Sequence, residues 1–344
     1  MSDAEATAPA PSSEVKLGGR REIDRVILRS GLLVLFALVT VYFAATEPTF
    51  RSFNNIVSIL QSVSTVGIIA LGVTVSMIIG GFDLSIGANA GFTVMLCAIC
   101  LVLLGLPTVA VVPIALAGGL IIGALNGLLV VRLGVPDLLA TLGMLFVLQG
   151  AQLLPSRGQS ISTGVVLGGQ EYTGIFTDAF LYIGRGRIGG EIPVPIVLFA
   201  FVGIVLWIVC ERTRWGRMLY AIGGNAEAAR LAGVRVDRLR MAAYMTSGVL
   251  ASLGGIILAA RIGEGDVGAG NSYLLDAVAA ALVGYAVLAV NRPNVLGTAV
   301  GAVFLGIMIN GLTIKNFPYY TQDFVKGVVL MVALLLTFGV RRLR

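Results

Sequence analysis

Long apolar stretches, separated by short polar segments, make up most of this chain. A helix needs about 20 apolar residues to cross the hydrocarbon core of a bilayer. Ten stretches reach or approach that length, at 27–45, 57–79, 86–104, 109–131, 138–154, 194–210, 241–260, 274–290, 295–313 and 321–340. The pattern predicts an all-α polytopic membrane protein with about ten transmembrane helices.

Composition supports the membrane assignment. Of the 344 residues, 57% are hydrophobic and 12% are charged, and the mean hydropathy is +0.95. Soluble domains carry about 25% charged residues, so a water-soluble globule is excluded. The 45 glycines suit helices that pack closely in lipid through small side chains.

The ionisable residues offer little for catalysis. Histidine, the commonest general base and metal ligand, is absent from the sequence. Cys97, Cys100 and Cys210 all lie in apolar runs. Cys97 and Cys100 have the spacing of a metal-binding pair, but no further thiol or imidazole stands near to complete a site. We therefore predict buried free thiols, no metal and no enzymatic activity in this chain.

Positive charges mark one side of the predicted membrane. Lys and Arg cluster before the first span, in the segment 211–240 and after the last span. The positive-inside rule then places both termini and 211–240 in the cytoplasm. The segment 155–193 becomes an external loop, and 1–26, rich in Ala, Pro and Ser, becomes a disordered cytoplasmic tail before a transmembrane domain over 27–344. This topology explains the net charge of +6, so we predict no nucleic-acid partner.

Two halves of the chain share residues at a shift of about 184 positions. Gly80, Asp83 and Gly87 correspond to Gly263, Asp266 and Gly270, Asn126 corresponds to Asn310, and Gly143 corresponds to Gly327. The shift covers an odd number of spans, so the halves would have opposite orientations, as inverted repeats do in transporters. Chance similarity between glycine-rich apolar helices is the alternative.

Several polar residues interrupt the apolar stretches. Gly80-Gly81 can end one helix, and Asp83 can cap the next. An ionisable group at membrane depth is costly and usually functional. Asp83 is therefore a cap in a tight cytoplasmic turn, part of a broken helix beside a solute pathway, or both, since a broken helix needs such a cap. The candidate pathway residues are Asp83, Ser85, Asn89, Asn126, Thr141 and Asn310. Helix–helix hydrogen bonding is the alternative role for each.

The scarcity of charged groups in the spans argues against an ionic solute. Asp276, at the start of the eighth predicted span, is assigned to stabilising the N-terminus of that helix.

A polar island, TRWGRMLYAIGGNAEAARLAGV, runs from Thr213 to Val234. Gly223-Gly224 breaks an amphipathic stretch, Asn225 is a good N-cap, and Glu227 lies where the helix dipole favours a carboxylate. The island therefore predicts a helix of about two turns ending at Gly233. A helix so short is marginal alone. It either docks into a partner protein through the small Ala228-Ala229 surface or rests as a basic loop on anionic lipid headgroups.

These residues resemble a known family. The island is similar to the cytoplasmic loop of permease subunits of bacterial ATP-binding-cassette importers for ribose, xylose, arabinose and galactose. The matching positions are Thr213, Gly216, Arg217, Ala221, Gly223, Asn225, Ala228, Ala229 and Gly233. GGFDLSIGA and YLLDAVAAALVG resemble two further signatures of that family. One segment departs from the family pattern, because Gly284–Thr298 keeps only its closing Val-Leu-Gly-Thr.

The resemblance implies a monosaccharide permease in the bacterial inner membrane. Its partners would be two cytoplasmic ATPase subunits, a periplasmic solute-binding protein and a second permease copy, identical or similar. The sequence contains no G-x-x-x-x-G-K-[ST] phosphate loop, so ATP and magnesium would bind to the partner and this chain would hold no cofactor. The alternatives are a branched-chain amino acid permease of a related importer and an ion-coupled secondary transporter.

Overall fold

The computed structural model describes residues 33–287 and 292–338, which form thirteen α-helices and two small hairpins. The helices are α1 (Leu33–Thr46), α2 (Phe53–Ile78), α3 (Ile86–Ala98), α4 (Thr108–Gly127), α5 (Asp137–Ser156), α6 (Asp178–Arg185), α7 (Val194–Trp207), α8 (Arg214–Gly224), α9 (Ala226–Leu231), α10 (Val236–Ile262), α11 (Asn271–Val287), α12 (Val295–Ile314) and α13 (Tyr319–Phe338). Turns of π-helix at Ile99–Leu103, Leu128–Arg132 and Ile208–Arg212 extend α3, α4 and α7, and a 3-10 turn at Pro48–Arg51 precedes α2. The hairpins are β1 (Val166–Leu167) with β2 (Gln170–Glu171), and β3 (Arg187–Ile188) with β4 (Ile192–Pro193).

Each predicted span coincides with a helix over most of its length. Seven of the helices in the described ranges are long and apolar enough to cross a membrane: α2, α5, α10 and α12, and α3, α4 and α7 with their π-turns. The all-helical, multi-pass architecture is therefore confirmed, whereas ten crossings stays a prediction. The predicted tail at 1–26 lies outside the described residues, as do the first residues of the first predicted span and the last residues of the eighth and tenth.

Helices α2, α3 and α10 form the centre of the bundle. The apolar windows of α2 and α10 are each 67% buried and that of α3 with its π-turn is 78% buried, against 11% for α7 and 22% for α5. Helix α10 packs closely on α4, because a Cβ on Gly119 or Gly123 would collide with backbone atoms of Gly248 or Tyr244. Close packing through glycine is typical of helix pairs in lipid. The poorly buried α5 and α7 therefore provide the apolar outer surface.

The segment 155–193 is held against one end of α10. It contains both hairpins and the short α6, in which Phe180 is fully buried. Gly184 lies against the backbone of Ala260 and Arg261, and Ile161 pairs with Gly265 in an isolated antiparallel bridge. Since α10 begins beside 211–240 and ends beside 155–193, these two segments lie at opposite ends of the bundle.

Two turns share the residues of the suggested repeat and have similar local geometry. After α2, Gly80 adopts a left-handed φ of 76°, and after α10, Gly263 adopts a φ of 79°. In each turn an aspartate Oδ1 accepts the N–H two residues onward, Asp83 from Ser85 and Asp266 from Gly268. The inverted orientation of the two halves stays a prediction.

Candidate functional site

The polar island folds into α8 and α9, two short helices with side-chain caps. The Thr213 hydroxyl accepts the Gly216 N–H at 3.4 Å, and Asn225 Oδ1 accepts the N–H groups of Glu227 and Ala228 at 3.0 Å each. Gly233 ends the second helix with a left-handed φ of 82°. The predicted cap, short helix and terminating glycine are confirmed. The stretch before Asn225 is more regular than expected, because α8 continues through Gly223 and Gly224.

Gly223 joins the island to the end of α2. A Cβ at this position would collide with the carbonyl oxygen of Ile78, and Gly80 lies beside it. Backbone atoms, which cannot move aside as a flexible side chain does, therefore meet directly at this contact. The neighbouring Gly224 has open space around its Cβ position. Of the two glycines, only Gly223 is required by packing.

The exposed face of α9 differs from the predicted one. Ala229 is 6% exposed and packs inside the chain's own core, beside Ile222 and Val236. Ala228 is exposed, and Leu231 is 83% exposed. The expectation of a joint Ala228-Ala229 docking surface is therefore wrong, because the bundle occupies one side of so short a helix. Ala228 and Leu231 form the surface that is open to a partner.

A charged contact ties α8 to the connection before α12. Glu211 Oε2 accepts from Arg292 Nη2 at 2.8 Å, and Glu211 Oε1 accepts from the Tyr220 hydroxyl at 3.0 Å. The Arg292 guanidinium also lies 4.3 Å from the centre of the Tyr220 ring. Burial, followed by the nearby Glu211 carboxylate, raises the pKa of the Tyr220 phenol, so the phenol stays protonated and donates. Arg292 belongs to the 284–298 segment that departs from the family pattern, of which 288–291 lie outside the described residues.

Basic side chains cover the same end of the bundle. The exposed arginines of the island and its neighbours are Arg212, Arg214, Arg217, Arg230, Arg235 and Arg238. Arg230 is paired with Glu227 at 3.3 Å and with Asp237 at 3.0 Å. The surface around the exposed part of α9 is therefore strongly positive.

Asp83 is 1% exposed, and three of the other five candidate pathway residues, Ser85, Asn126 and Thr141, lie close to it. Asp83 Oδ1 accepts the Ser85 hydroxyl at 2.6 Å, and Asp83 Oδ2 accepts the Ser247 hydroxyl at 2.9 Å. Asn126 Nδ2 donates to Ser85 Oγ at 2.8 Å, and Thr141 Oγ1 accepts the N–H of Leu84, the residue after Asp83, at 3.1 Å. We call Asp83, Ser85, Asn126, Thr141 and Ser247 the Asp83 cluster. It joins the α2–α3 turn to α4, α5 and α10.

Asp83 lies inside the bundle rather than at its end. Its partner Ser247 follows the first residue of α10, Val236, by about 16 Å along the helix axis at 1.5 Å per residue. Asp83 accepts the N–H of Ser85 and so shapes the turn before α3. The expectation that Asp83 caps the N–H groups of that helix is wrong, because no side chain in the described ranges caps α3. The depth of Asp83 favours the interpretation in which it belongs to a broken helix inside the membrane.

Asn89 and Asn310 have separate surroundings. Asn89 is buried next to the Asp83 cluster and donates to the carbonyl of Gly248 at 3.1 Å. Within the described residues, the side-chain oxygens of Asn89, Asn126 and Tyr244 have no hydrogen-bond partner. Asn310 lies far from them on α12 and exchanges two hydrogen bonds of 3.0 Å with Asn55.

A charged pair within the bundle escaped sequence reasoning. Lys326 Nζ lies 2.9 Å from Asp276 Oδ1, and their side chains are only 19% and 13% exposed. Helix α11 begins at Asn271 and has no acidic residue in its first turn, so the predicted role of Asp276 at a helix N-terminus is wrong. The expected scarcity of charged groups in the spans is also wrong at this pair. Because the two residues are far apart in sequence and on separate helices, no local pattern relates them.

Comparison with known proteins adds independent information. The sequence model of a family described as branched-chain amino acid transport system / permease component matches residues 55–334. The chain is 34% identical to the ribose import permease protein RbsC of Escherichia coli K12, over 93% of this chain and 97% of that protein. It is 32% identical to RbsC of Bacillus subtilis 168, over 92% and 95% of the two chains. It is 29% identical to the xylose transport system permease protein XylH of Escherichia coli K12, over 96% and 98%. No solved structure matches.

Proposed function

The chain belongs to the family described as branched-chain amino acid transport system / permease component, and on that premise we propose that it imports a monosaccharide or related polyol as the permease subunit of an ATP-driven transporter. The similarity to ribose and xylose permeases over nearly the whole chain supports the solute class. The chain crosses the bacterial inner membrane about ten times, with both termini in the cytoplasm.

One observation carries the ATP-driven part of this proposal: a capped short helix, α9, presents Ala228 and Leu231 outward beside a rigid contact to α2. A six-residue helix has little stability of its own, and an exposed leucine amid arginines favours a protein partner over a hydrated loop. Two cytoplasmic ATPase subunits fit that role, and they would bind ATP and magnesium. A periplasmic solute-binding protein and a second permease copy complete the complex, and anionic lipids neutralise the surrounding arginines.

The mechanism follows from the contacts of Gly223. When the ATPase subunits close around ATP, α9 and α8 move with them, and the backbone contact between Gly223 and Ile78 transmits the displacement to α2. The α2–α3 turn carries Asp83, whose hydrogen bonds reach Ser247 on α10 and, through Ser85, Asn126 on α4. Leu84 in the same turn donates its N–H to Thr141 on α5. A rigid shift of this turn therefore acts on α4, α5 and α10 at once.

A branched-chain amino acid is the second candidate solute. The family description names this solute class. An ion-coupled secondary transporter is less well supported, because it gives α9 no role.

Reconstitution distinguishes these candidates. The chain is incorporated into proteoliposomes with and without a cognate ATPase subunit, and uptake of labelled D-ribose, D-xylose and L-leucine is measured with and without Mg-ATP. We expect sugar uptake that requires both the ATPase and Mg-ATP. Full uptake without the ATPase would contradict the ATP-driven proposal, and uptake of leucine alone would contradict the solute class.

A further inference from the structure

A cavity of about 380 Å³ lies between α2, α10, α11, α12 and α13. Ligand sites in proteins commonly measure about 300–1,000 Å³. Its lining includes Arg261, which follows Val236 at the start of α10 by about 37 Å along the helix axis. The cavity therefore lies at the end of the bundle away from 211–240. We propose that it is the binding site for an uncharged, polyhydroxylated solute of monosaccharide size, an assignment that rests on the proposed transport function.

Hydrogen-bonding side chains from every surrounding helix line the cavity. They are Ser62 from α2, Arg261 from α10, Ser272, Tyr273 and Asp276 from α11, Asn310 and Thr313 from α12, and Lys326 from α13. Hydroxyl, amide, guanidinium and carboxylate groups together offer both donors and acceptors. A polyol, whose every hydroxyl both donates and accepts, is the ligand that matches such a mixed set.

The charges of the cavity favour an uncharged solute over a zwitterion. Asp276 is the one acidic residue in the described lining, and Lys326 already holds it at 2.9 Å. The Arg261 guanidinium donates to Ser62 Oγ at 3.1 Å. An α-ammonium group would therefore have no free carboxylate to bind, and binding it would require breaking the ion pair.

The other wall of the cavity is aliphatic. It consists chiefly of Ile59, Val63, Leu305 and Ile309. A pyranose or furanose ring presents C–H groups on its faces between hydroxyl edges, so an aliphatic wall opposite a polar wall suits it. The two-sided lining gives the cavity an orientation for its ligand.

Protection of an engineered thiol tests this assignment directly. The native Cys97, Cys100 and Cys210 are buried, so Thr313→Cys in the full chain provides a thiol at the cavity with little background. The variant, in nanodiscs, reacts with a membrane-impermeant maleimide in the presence of D-ribose, D-xylose, L-leucine or no addition. Ile188→Cys is the matched control, because Ile188 is exposed in the β3–β4 hairpin and does not line the cavity.

We expect either sugar to slow labelling of Thr313→Cys roughly tenfold at about ten times its Kd, by simple occupancy, and to leave Ile188→Cys unchanged. Adding Arg261→Gln should weaken protection by sugar, measured against the labelling rate of the same double variant without sugar. Protection by leucine and not by sugar, or equal effects at both positions, would overturn the assignment. ATP-dependent sugar uptake without protection at Thr313→Cys would refute only the assignment of the cavity as the binding site. Protection at Thr313→Cys together with uptake that needs no ATP would support that assignment and refute the ATP-driven function.

Discussion

The two ends of this bundle differ in how they are built. At one end, α8 and α9 take their form from residues that are neighbours in sequence, such as Asn225 capping Glu227 and Ala228. At the other, the cavity is lined by side chains from five helices, α2, α10, α11, α12 and α13. The α8–α9 end can therefore move as one unit when a partner displaces it. The cavity can change shape when helices move relative to one another, because each helix supplies only part of its lining.

The largest effect that we expect comes from Gly223→Ala. The new Cβ would overlap the carbonyl oxygen of Ile78, and overpacking of this kind typically costs about 1–3 kcal/mol. The strain disfavours the arrangement in which α8 contacts α2, and each 1.4 kcal/mol of it lowers the population of that arrangement about tenfold. We therefore expect ATP-dependent sugar uptake to fall about tenfold while ATPase activity continues.

Gly224→Ala is the matched control for that substitution. Its Cβ points into open space, and alanine is favoured over glycine in a helix by about 1 kcal/mol. Uptake should stay within about twofold of the parent. Similar losses in both variants, measured in the same proteoliposomes, would show that the Gly223–Ile78 contact has no special role.

A smaller effect is expected from Asp276→Asn at the cavity end. Removing one partner of a buried ion pair costs about 3–5 kcal/mol, and the partial exposure of both side chains reduces this to about 2 kcal/mol. Denaturation of the purified variant should report that loss. The double variant Asp276→Asn with Lys326→Gln should recover part of it, and a double variant as unstable as the single one would contradict a direct pairing.

Asp83→Asn tests the link between the two ends. The carboxylate accepts from Ser85 and Ser247, and hydrogen bonds to charged groups contribute about 1.5–3 kcal/mol each. An asparagine keeps one acceptor, so we expect a loss of about 1.5 kcal/mol in unfolding free energy together with reduced uptake. Ser58→Ala is a suitable control, because that hydroxyl donates to the carbonyl of Asn54 in its own helix. Normal uptake by Asp83→Asn would remove the cluster from the mechanism.

The smallest effect should follow from Arg292→Gln. Arg292 is partly exposed and Glu211 less so, and ion pairs of this kind contribute at most about 1 kcal/mol. Uptake should fall less than about threefold, and the difference from the parent should shrink as salt is raised. A large loss that is independent of salt would assign Arg292 a role beyond this pair.

The same contrast explains what the sequence could predict. The helical stretches and the caps at Thr213 and Asn225 follow from local hydropathy and capping rules, so they were predictable. The burial of Ala229 was not, because the side of α9 that meets the bundle is determined by the packing of α8 against α2. The pairing of Asp276 with Lys326 was not either, since it depends on how α11 and α13 are placed in three dimensions.

The Asp83 cluster lies between these cases. The sequence identified Asp83, Ser85, Asn126 and Thr141 as polar residues within apolar surroundings, and the structure brings them together. It could not identify Ser247, because a serine within a helix carries no distinguishing local signal. Nor could the sequence distinguish Asn310 from Asn126. Both are asparagines in apolar stretches, but Asn310 pairs with Asn55 and lies outside the cluster.

The most direct test of the account is whether the island controls the distant cavity. The rate of maleimide labelling at Thr313→Cys is measured in the assembled transporter, first without nucleotide and then with the ATPase trapped by Mg-ATP and vanadate. We predict that trapping changes this rate at least about fivefold, and that adding Gly223→Ala abolishes the change while Gly224→Ala preserves it. A labelling rate that is insensitive to trapping, or a change in rate that persists in Gly223→Ala, would contradict this mechanism. The mechanism requires that movement of the segment 211–240 alters the cavity through α2.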